Sequence, residues 1–408
     1  MATVPSNSLP SPPRPPVPNH VSRITHHASP PPARLLIRGV NWLGDAVMST
    51  PALLRLREAL PHTHITLLTH EKLAGLWEQH PALDKVIPFA KGESVWRIAR
   101  RLRAGNFDAA LILPNSFRSA LEAWLARIPR RIGYATHGRS LLLNHHVLPR
   151  ADAVAMHKRS AAEVRAFTDG TRAPDADFAR SITRPTAHHV HQYLLLAAAL
   201  RAIPVAQAPR LGVTPAEQAR VRAALFGKTE AQAGHPLTWF GLNPGAEYGP
   251  AKRWPVENFV AAARELHTRT GCAWVIFGGP ADQALAEQIR AAVPSALSVA
   301  GRTTLRELVV ALSLCRVVLT NDTGPMHVAA AVGTPVVVPF GSTSPELTGP
   351  GLPGDPRHRL LQSAAPCAPC FLRECPIDFR CMKSITVERV VGAVMEIVGG
   401  PNHPSDPS

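Results

Sequence analysis

From Arg34 onward, short apolar runs alternate with stretches in which apolar residues recur every three or four positions. The runs are typical of buried parallel strands, and the spaced pattern is typical of the helices that cover such a sheet. In the first half of the chain the pattern predicts strands at 35–38, 65–69, 85–88 and 109–113. It predicts helices between them at 44–60, 71–79, 94–104 and 116–127.

The same alternation restarts in the second half of the chain. It predicts five strands, at 237–242, 273–277, 297–299, 317–320 and 336–339. The helices between them are expected to begin near Pro255, Ala281, Thr304 and Pro325. The region between the halves is less regular, with short strands predicted near Arg131 and His146 and a helix at 187–200.

These patterns predict an α/β protein built from two doubly wound, Rossmann-like domains that face a central cleft. Ligands of open α/β sheets bind beyond the carboxyl ends of the strands, so the cleft is the expected site. The predicted divisions are a leader at 1–33, an N-terminal domain at 34–185, a linker helix region at 186–207, a C-terminal domain at 208–398 and a tail at 399–408. The leader holds ten of the 41 prolines and no acidic residue, a composition that predicts disorder.

The chain is strongly basic, with 44 Lys and Arg against 29 Asp and Glu and a pI near 10.4. This charge favours phosphate-bearing partners or an anionic membrane surface. A nucleic-acid-binding protein is the alternative, but aromatic residues are few and no recognition motif is present. No apolar run reaches the roughly 18 residues that span a bilayer, and no basic start precedes an apolar block, so we expect a cytoplasmic protein.

The first chemical motif is Gly-Val-Asn-Trp-Leu-Gly-Asp, which follows the first predicted strand and opens a helix. Its glycines, Gly39 and Gly44, are spaced as in a phosphate-binding loop, but Asp45 stands where such a loop needs Lys. Asp45 is then either a first-turn carboxylate that stabilises the helix or a base that takes a proton from a hydroxyl in the cleft. A nicotinamide dehydrogenase is disfavoured, because no G-x-G-x-x-G follows a predicted strand.

The second motif spans residues 243–255 and reads Asn-Pro-Gly-Ala-Glu-Tyr-Gly-Pro-Ala-Lys-Arg-Trp-Pro. The backbone amides near Gly245 and Ala246 could cradle a phosphate, while Lys252 adds a positive charge. The alternative is a solvated basic turn.

The third motif is Asn-Asp-Thr-Gly-Pro-Met-His at 321–327, again between a strand and a helix. The amides at Thr323 and Gly324 would lie at a helix N-terminus, which binds anions without a metal. Asp322 could instead only cap the helix, and His327 could be a packed histidine. A further loop of small residues at 341–346 could close the same site.

The cysteines favour no disulfide framework, since six in 408 residues are too few. Two of them, Cys272 and Cys315, lie in apolar surroundings and are predicted core residues. The other four could hold structural zinc or remain reduced thiols, and both interpretations stay open for Cys367, Cys370, Cys375 and Cys381.

Taken together, the segments at 34–53, 242–255, 321–335 and 341–350 resemble the bacterial lipopolysaccharide heptosyltransferases of glycosyltransferase family 9, over residues 34–398. The resemblance implies the GT-B fold and inverting transfer of L-glycero-D-manno-heptose from ADP-heptose. The implied acceptor is the first heptose of the inner core on Kdo2-lipid A, at an anionic membrane surface. Transfer to the Kdo sugar, or a different nucleotide-sugar or acceptor, is the alternative. No cofactor or catalytic metal is implied.

The resemblance also implies roles for individual residues. Asp45 corresponds to the base that deprotonates the acceptor, and Lys252 to a cation that meets the donor diphosphate. The implied donor-binding residues are Gly245, Ala246, Asp322, Thr323, Gly324 and His327. On the acceptor side, within the N-terminal domain, the implied residues are Asn41, Gly44 and Arg118.

Overall fold

The computed structural model describes residues 30–136, 138–173, 176–294 and 296–399. Its first lobe contains β1 (Arg34–Arg38), α1 (Leu43–Ala59), β2 (His64–His70), β3 (Lys85–Phe89), α2 (Val95–Arg103), β4 (Ala109–Ile112), α3 (Phe117–Leu125), β5 (Arg130–Tyr134) and β6 (His145–Val147). Short 3-10 helices lie at Glu71–Trp77 and Arg139–Leu142. Three helices follow, α4 (Ala161–Thr168), α5 (Ala176–Ile182) and α6 (Val190–Ala198).

The second lobe repeats the arrangement. It contains α7 (Pro215–Val221), α8 (Gly227–Ala233), β7 (Trp239–Asn243), α9 (Val256–Thr270), β8 (Ala273–Ile276), α10 (Gln283–Ala292), β9 (Ala296–Ser298), α11 (Leu305–Ser313), β10 (Val317–Thr320), α12 (Gly324–Ala331), β11 (Val336–Phe340), α13 (Pro345–Thr348), β12 (Arg359–Gln362), α14 (Arg380–Lys383) and α15 (Val387–Val398). A π-helical turn at Arg222–Phe226 joins α7 to α8.

In the described residues, each lobe is built on one six-stranded sheet whose paired strands are parallel. The strand orders are β3-β2-β1-β4-β5-β6 and β12-β11-β10-β7-β8-β9. Counted from each lobe's own first strand, both are the order 3-2-1-4-5-6 of doubly wound sheets, in which the chain reverses direction between the first and fourth strands. The three predicted chemical motifs directly follow β1, β7 and β10, so the topology brings them to these two switch points.

Helix α1 connects the lobes. Its residues from Ala46 to Leu53 are all buried, so this part of the helix lies in an interior on every side. It packs on α6 and on α12 of the second lobe. The polar side chains within it are satisfied locally, since the hydroxyl of Thr50 donates to the Val47 carbonyl at 2.8 Å. That hydroxyl also accepts from the Arg210 amide at 3.3 Å. One apolar cluster therefore runs through both lobes.

The region between the sheets packs against the end of the chain. Val164 and Phe167 of α4 form one apolar cluster with Cys367 and Cys370. The sequence grouped residues 161–182 with the N-terminal domain, but their apolar contacts reach the cysteine segment of the second lobe. The helix predicted at 187–200 is α6.

The predicted strands and helices of both sheets are present, with ends shifted by a few residues. The pattern did not predict β12, an edge strand of four residues that are only partly buried, because it has no continuous apolar run. It also gave no prediction for α15, although that helix packs on α9. The predicted helix at 71–79 is a 3-10 helix that ends at Trp77. The leader, apart from residues 30–33, and the tail beyond Gly399 lie outside the described residues. No helix in the described residues is long and apolar enough to cross a membrane.

Buried histidines make the fold sensitive to acid. Burial lowers the pKa of His80, His327 and His358 to about 4 each, and that of His188 to about 3. Because these pKa values lie below that of an unfolded histidine, the unfolded state binds more protons between about pH 6.5 and 4. The free energy of unfolding therefore falls as the pH drops through this window.

We expect His80→Asn to reduce this acid sensitivity, because the asparagine oxygen can accept the hydrogen bond that the Ala82 amide donates to His80 Nδ1 at 3.3 Å. Urea unfolding at pH 7.5 and pH 5 should show the loss of stability between the two values reduced by about 2 kcal/mol. His62→Asn, at an exposed histidine, should leave the loss unchanged. An equal loss of stability in His80→Asn and the parent would show that His80 does not contribute to the acid sensitivity.

Candidate functional site

A cavity of about 560 Å³ lies between the lobes at the carboxyl ends of both sheets. It is lined from the first lobe by Leu43, Gly44 and Asp45, and from the second by Lys252, Asp322, Thr323, Gly324 and His327. Its volume falls within the range of roughly 300–1,000 Å³ that is typical of small-molecule sites. The structure thus joins the strand-end motifs of the two lobes in one site.

The first turns of α1 and α12 meet in this cavity. A Cβ on Gly44 would lie 2.8 Å from His327 Cδ2, and a Cβ on Gly324 would lie 2.8 Å from Leu43 Cβ. Both glycines are therefore required by the close approach of one helix to the other. Because the first N–H groups of a helix lack partners within it, the meeting point combines two partly positive helix ends.

Asp45 lies in the first turn of α1 and its carboxylate is held from α6. The Tyr193 hydroxyl donates to Asp45 Oδ1 at 3.0 Å. Burial raises the pKa of Asp45, while the charges of His189 and Lys252 and the bond from Tyr193 oppose the rise. Burial and the carboxylate raise the pKa of Tyr193 well above its ordinary value, so Tyr193 remains a donor. The arrangement suits a carboxylate that exchanges a proton within the cleft.

Two histidines line the same cavity. Burial lowers the pKa of His189, and the neighbouring Asp45 opposes that shift. His327 is neutral at physiological pH because burial lowers its pKa to about 4. Its Nδ1 atom is buried and has no hydrogen-bond partner among the described residues, although the residue lines the cavity.

Lys252 projects into the cavity from the opposite wall. Its Nζ lies 2.6 Å from Asp322 Oδ2, and both side chains are largely buried. The Thr343 hydroxyl donates to the same oxygen at 2.5 Å, and the ammonium lies 5.0 Å from the centre of the Tyr248 ring. Asp322 therefore orients Lys252, whose remaining N–H donors can meet an anion. Thr343 comes from the small-residue loop that the sequence placed at this site.

Asn321 fixes the loop that carries Lys252. Its side-chain oxygen accepts from the Trp254 amide at 2.9 Å, and its side-chain nitrogen donates to the Pro244 carbonyl at 2.7 Å. The residue is fully buried. One side chain at the end of β10 thus holds both ends of the loop that follows β7.

The cysteine segment supplies another wall. Tyr248 donates from its hydroxyl to the Phe371 carbonyl at 2.8 Å, and the Ala251 amide donates to the Arg373 carbonyl at 3.0 Å. The side chains of Phe371 and Arg373 line the cavity. Sequence reasoning considered this segment only for its thiols and did not identify either residue.

The thiols themselves face the protein interior. Cys367, Cys370 and Cys381 are buried, and Cys375 Sγ accepts from the Phe379 amide at 3.3 Å. Among the described residues, no group of three or more His, Cys, Asp or Glu side chains is arranged to hold a metal ion. The two predicted core cysteines, Cys272 and Cys315, are buried as expected.

Four of the predicted site residues do not line the cavity, namely Gly245, Ala246, Asn41 and Arg118. Gly245 faces Asp282, whose carboxylate would lie 2.6 Å from an added Cβ, and Ala246 is buried beneath the loop. Asn41 accepts a hydrogen bond from Arg38 Nη1 at 3.1 Å. These positions support the loops, and their predicted ligand contacts stay predictions.

Arg118 belongs to a network behind the first motif. It lies 3.2 Å from Glu122, which is buried and also pairs with Arg38 at 2.8 Å. Arg38 in turn donates to the carbonyl of Gly39 and to Asn41. Arg118 is half exposed at the start of α3, and its predicted role toward the acceptor stays a prediction.

A second cavity of about 330 Å³ lies in the first lobe, at the carboxyl ends of β4 and β5. Its lining includes Asn115, Tyr134, Arg150 and His191. His188 lines this cavity and the next residue, His189, lines the first, so the two cavities are neighbours.

Comparison with known proteins identifies the family. The family model described as glycosyltransferase family 9 (heptosyltransferase) matches residues 95–175 and 165–379. This chain belongs to glycosyltransferase family 9. The resemblance found in the sequence, the enzyme class and the two-sheet fold are therefore confirmed.

Similar members of family 9 have known functions or structures. Lipooligosaccharide heptosyltransferase 2 of Haemophilus influenzae is 33% identical over 326 residues, covering 78% of this chain and 85% of that protein. Lipopolysaccharide heptosyltransferase 2 of Escherichia coli is 30% identical over 329 residues, with coverage of 78% and 85%. The structure of E. coli ADP-heptose LPS heptosyltransferase II matches with a TM-score of 0.68 at 26% identity, covering 90% of this chain and 98% of that one.

In this family 9 glycosyltransferase, we expect Asn321→Ala to destabilise the second lobe. The change leaves the buried Trp254 amide and Pro244 carbonyl without partners, which should lower the free energy of unfolding by about 3 kcal/mol. Urea denaturation of the full chain measures this loss. Asn258→Ala is the matched control, because the Asn258 side chain makes no hydrogen bond in the described residues and should change stability by less than about 1 kcal/mol. Equal losses of stability in the two variants would contradict the role of the Asn321 side chain in holding this loop.

Proposed function

We propose that this glycosyltransferase transfers heptose from ADP-heptose to the first heptose of a lipopolysaccharide inner core, with inversion at the anomeric carbon. The observation that carries the proposal is the placement of Asp45 and Lys252 in one cavity, at the joined N-termini of α1 and α12. The two sequence relatives named above are both called heptosyltransferase 2, which supports the second core heptose as the product.

The donor diphosphate binds at the start of α12. Lys252 and the amides at Thr323 and Gly324 supply positive charge there, and preorganised donors stabilise the charge that grows on departing ADP. Asp322 keeps Lys252 in place through their 2.6 Å contact. The neutral His327 lines the same cavity, beside the nucleotide-sugar. With these groups, we propose that transfer needs no catalytic metal.

The chemical step is a single displacement. The Asp45 carboxylate takes the proton of an acceptor hydroxyl as that oxygen bonds to the anomeric carbon of the donor heptose. The bond from this carbon to the ADP oxygen breaks on the opposite face, and ADP leaves with the electron pair. Asp45 is well placed for this role, because Tyr193 fixes one carboxylate oxygen and the residue lines the cavity.

The acceptor sugar occupies the second cavity. Arg150 and His191 on its lining suit the anionic groups of a lipopolysaccharide core, and Asp152 holds the Arg150 guanidinium through contacts of 2.9 and 2.6 Å. We further propose that the enzyme works in the cytoplasm against the anionic inner face of the membrane. The net charge of +15 supports that location.

Asp45→Asn tests the proposed function. Asparagine keeps the size and can still accept the Tyr193 hydrogen bond, but it cannot take the proton, so kcat should fall by roughly 10²–10⁴. Glu247→Gln is the matched control, since it removes another carboxylate from the same cavity and should change kcat by less than about threefold. Mass spectrometry measures heptose addition to Kdo2-lipid A and to its monoheptosylated form.

Heptose addition only to the monoheptosylated acceptor, lost in Asp45→Asn, is the expected result. Addition only to Kdo2-lipid A would reassign the enzyme to the first transfer step. Full activity of a folded Asp45→Asn variant would show that the base is elsewhere. If ADP-heptose supports no transfer to either acceptor, the donor assignment is wrong.

The pH dependence of transfer should reveal the contact from Tyr193. The titratable residues facing Asp45 are His189, Tyr193 and Lys252, and kcat/KM should rise with pH as Asp45 ionises. Tyr193→Phe removes a hydrogen bond that favours the ionised carboxylate, so the pKa of Asp45 rises and the acidic limb moves to higher pH. Tyr248→Phe, which lacks contact with Asp45, should leave the limb in place. If the acidic side of the kcat/KM profile does not shift in Tyr193→Phe, this hydrogen bond does not influence the ionisation of Asp45.

A further inference from the structure

The outer surface of the first lobe carries large apolar side chains that are exposed. Helices α2 and α3 and the turn at Arg139–Leu142 cover one face of the first sheet, where Leu36, Leu68, Ala110 and Ile112 point into their shared apolar cluster. The alternate strand residues face α1. The outer side of the α2–α3 layer therefore faces away from the cleft helices.

Three of these exposed side chains lie at the starts of α2 and α3 and within the turn at Arg139–Leu142. Trp96 is 66% exposed, Phe117 is 52% exposed and Leu141 is 90% exposed. Each follows the carboxyl end of a strand, β3, β4 or β5, so all three lie at the edge of the sheet that holds the two cavities. Burying apolar side chains of this size is favourable, and a cluster of them outside the core indicates a contact surface.

Hydrogen bonds show that the three positions are neighbours. Arg118, next to Phe117, donates to the carbonyl of Glu93, which lies one turn before Trp96. Arg139, two residues before Leu141, donates to the carbonyl of Pro114, in the loop that precedes Phe117. The starts of the two helices and of the turn are thus tied together side by side.

Positive charge accompanies the apolar side chains. Arg97 and Arg100 are exposed on α2, and Arg100 lies one turn beyond Trp96 on the same side of the helix. Neither arginine side chain makes a hydrogen bond or ion pair in the described residues. Glu93, the acidic residue nearest to them in the sequence, is already paired with Arg101 at 3.2 Å. We call Trp96, Phe117, Leu141, Arg97 and Arg100 the rim patch.

We propose that the rim patch is the surface by which this enzyme docks on an anionic lipid bilayer. Exposed aromatic and aliphatic side chains enter the interfacial region, and arginines beside them attract anionic headgroups. The patch borders the second cavity, since Asn115 on the cavity lining is two residues from Phe117. Docking through the patch would bring a membrane-embedded acceptor to that cavity. In this one respect the proposal rests on the proposed function.

Vesicle flotation with the full-length protein tests the docking surface. We expect the parent to bind vesicles of 70% phosphatidylcholine and 30% phosphatidylglycerol, with the fraction bound falling as salt rises. The triple variant Trp96→Ser, Phe117→Ser, Leu141→Ser should bind at least about tenfold more weakly. Arg97→Gln with Arg100→Gln should weaken binding to the anionic vesicles and reduce its salt dependence. Ile203→Ser, at a residue 61% exposed outside the patch, should bind as the parent does.

The outcomes separate docking from transfer. Transfer to a lipid-free, water-soluble core oligosaccharide should be unchanged in the triple variant, and this readout also shows that the variant is folded. Parent-like vesicle binding by the triple variant would overturn the proposal, as would equal binding of the parent to pure phosphatidylcholine vesicles. A parent that binds no vesicles would overturn it too, and none of the vesicle-binding results depends on ADP-heptose being the donor.

Discussion

The close contact between the first turns of α1 and α12 is the constraint on which the site depends. Gly44 and Gly324 allow the two helices to approach so closely that a Cβ added at either position would lie 2.8 Å from a side-chain atom of the other helix. Any larger residue would force the turns apart. The contact sets a carboxylate from one lobe and an anion-binding helix end from the other on the same cavity, which neither lobe could do alone.

The surrounding polar contacts hold this geometry from behind. Asp322 and Thr343 orient Lys252, Asn321 fastens its loop, and Tyr193 holds Asp45. Most of these partners are buried, where a hydrogen bond left unmade is costly. The site is therefore organised before any ligand arrives, and preorganised charge is the larger part of how enzymes stabilise a transition state.

Much of this arrangement could be predicted from the sequence, because buried parallel strands leave continuous apolar runs and the loops after them carry the distinctive residues. Strand order places such loops at one edge, so seven of the eleven predicted site residues line one cavity. His189, Tyr193, Phe371 and Arg373 could not be predicted in the same way. They reach the site through tertiary packing of α6 and of the cysteine segment, and nothing in their local spacing distinguishes them from core or loop residues.

The burial of α1 between the lobes also bears on motion. Since one apolar cluster passes from the first sheet through α1 into the second lobe, the lobes cannot separate there without exposing it to water. Opening and closing of the cleft would then be a rotation with α1 near its hinge. Trp42 and Asp45, at the start of that helix, would move least, while Glu247, in the loop after β7 of the second lobe, would move farther and admit or enclose the substrate.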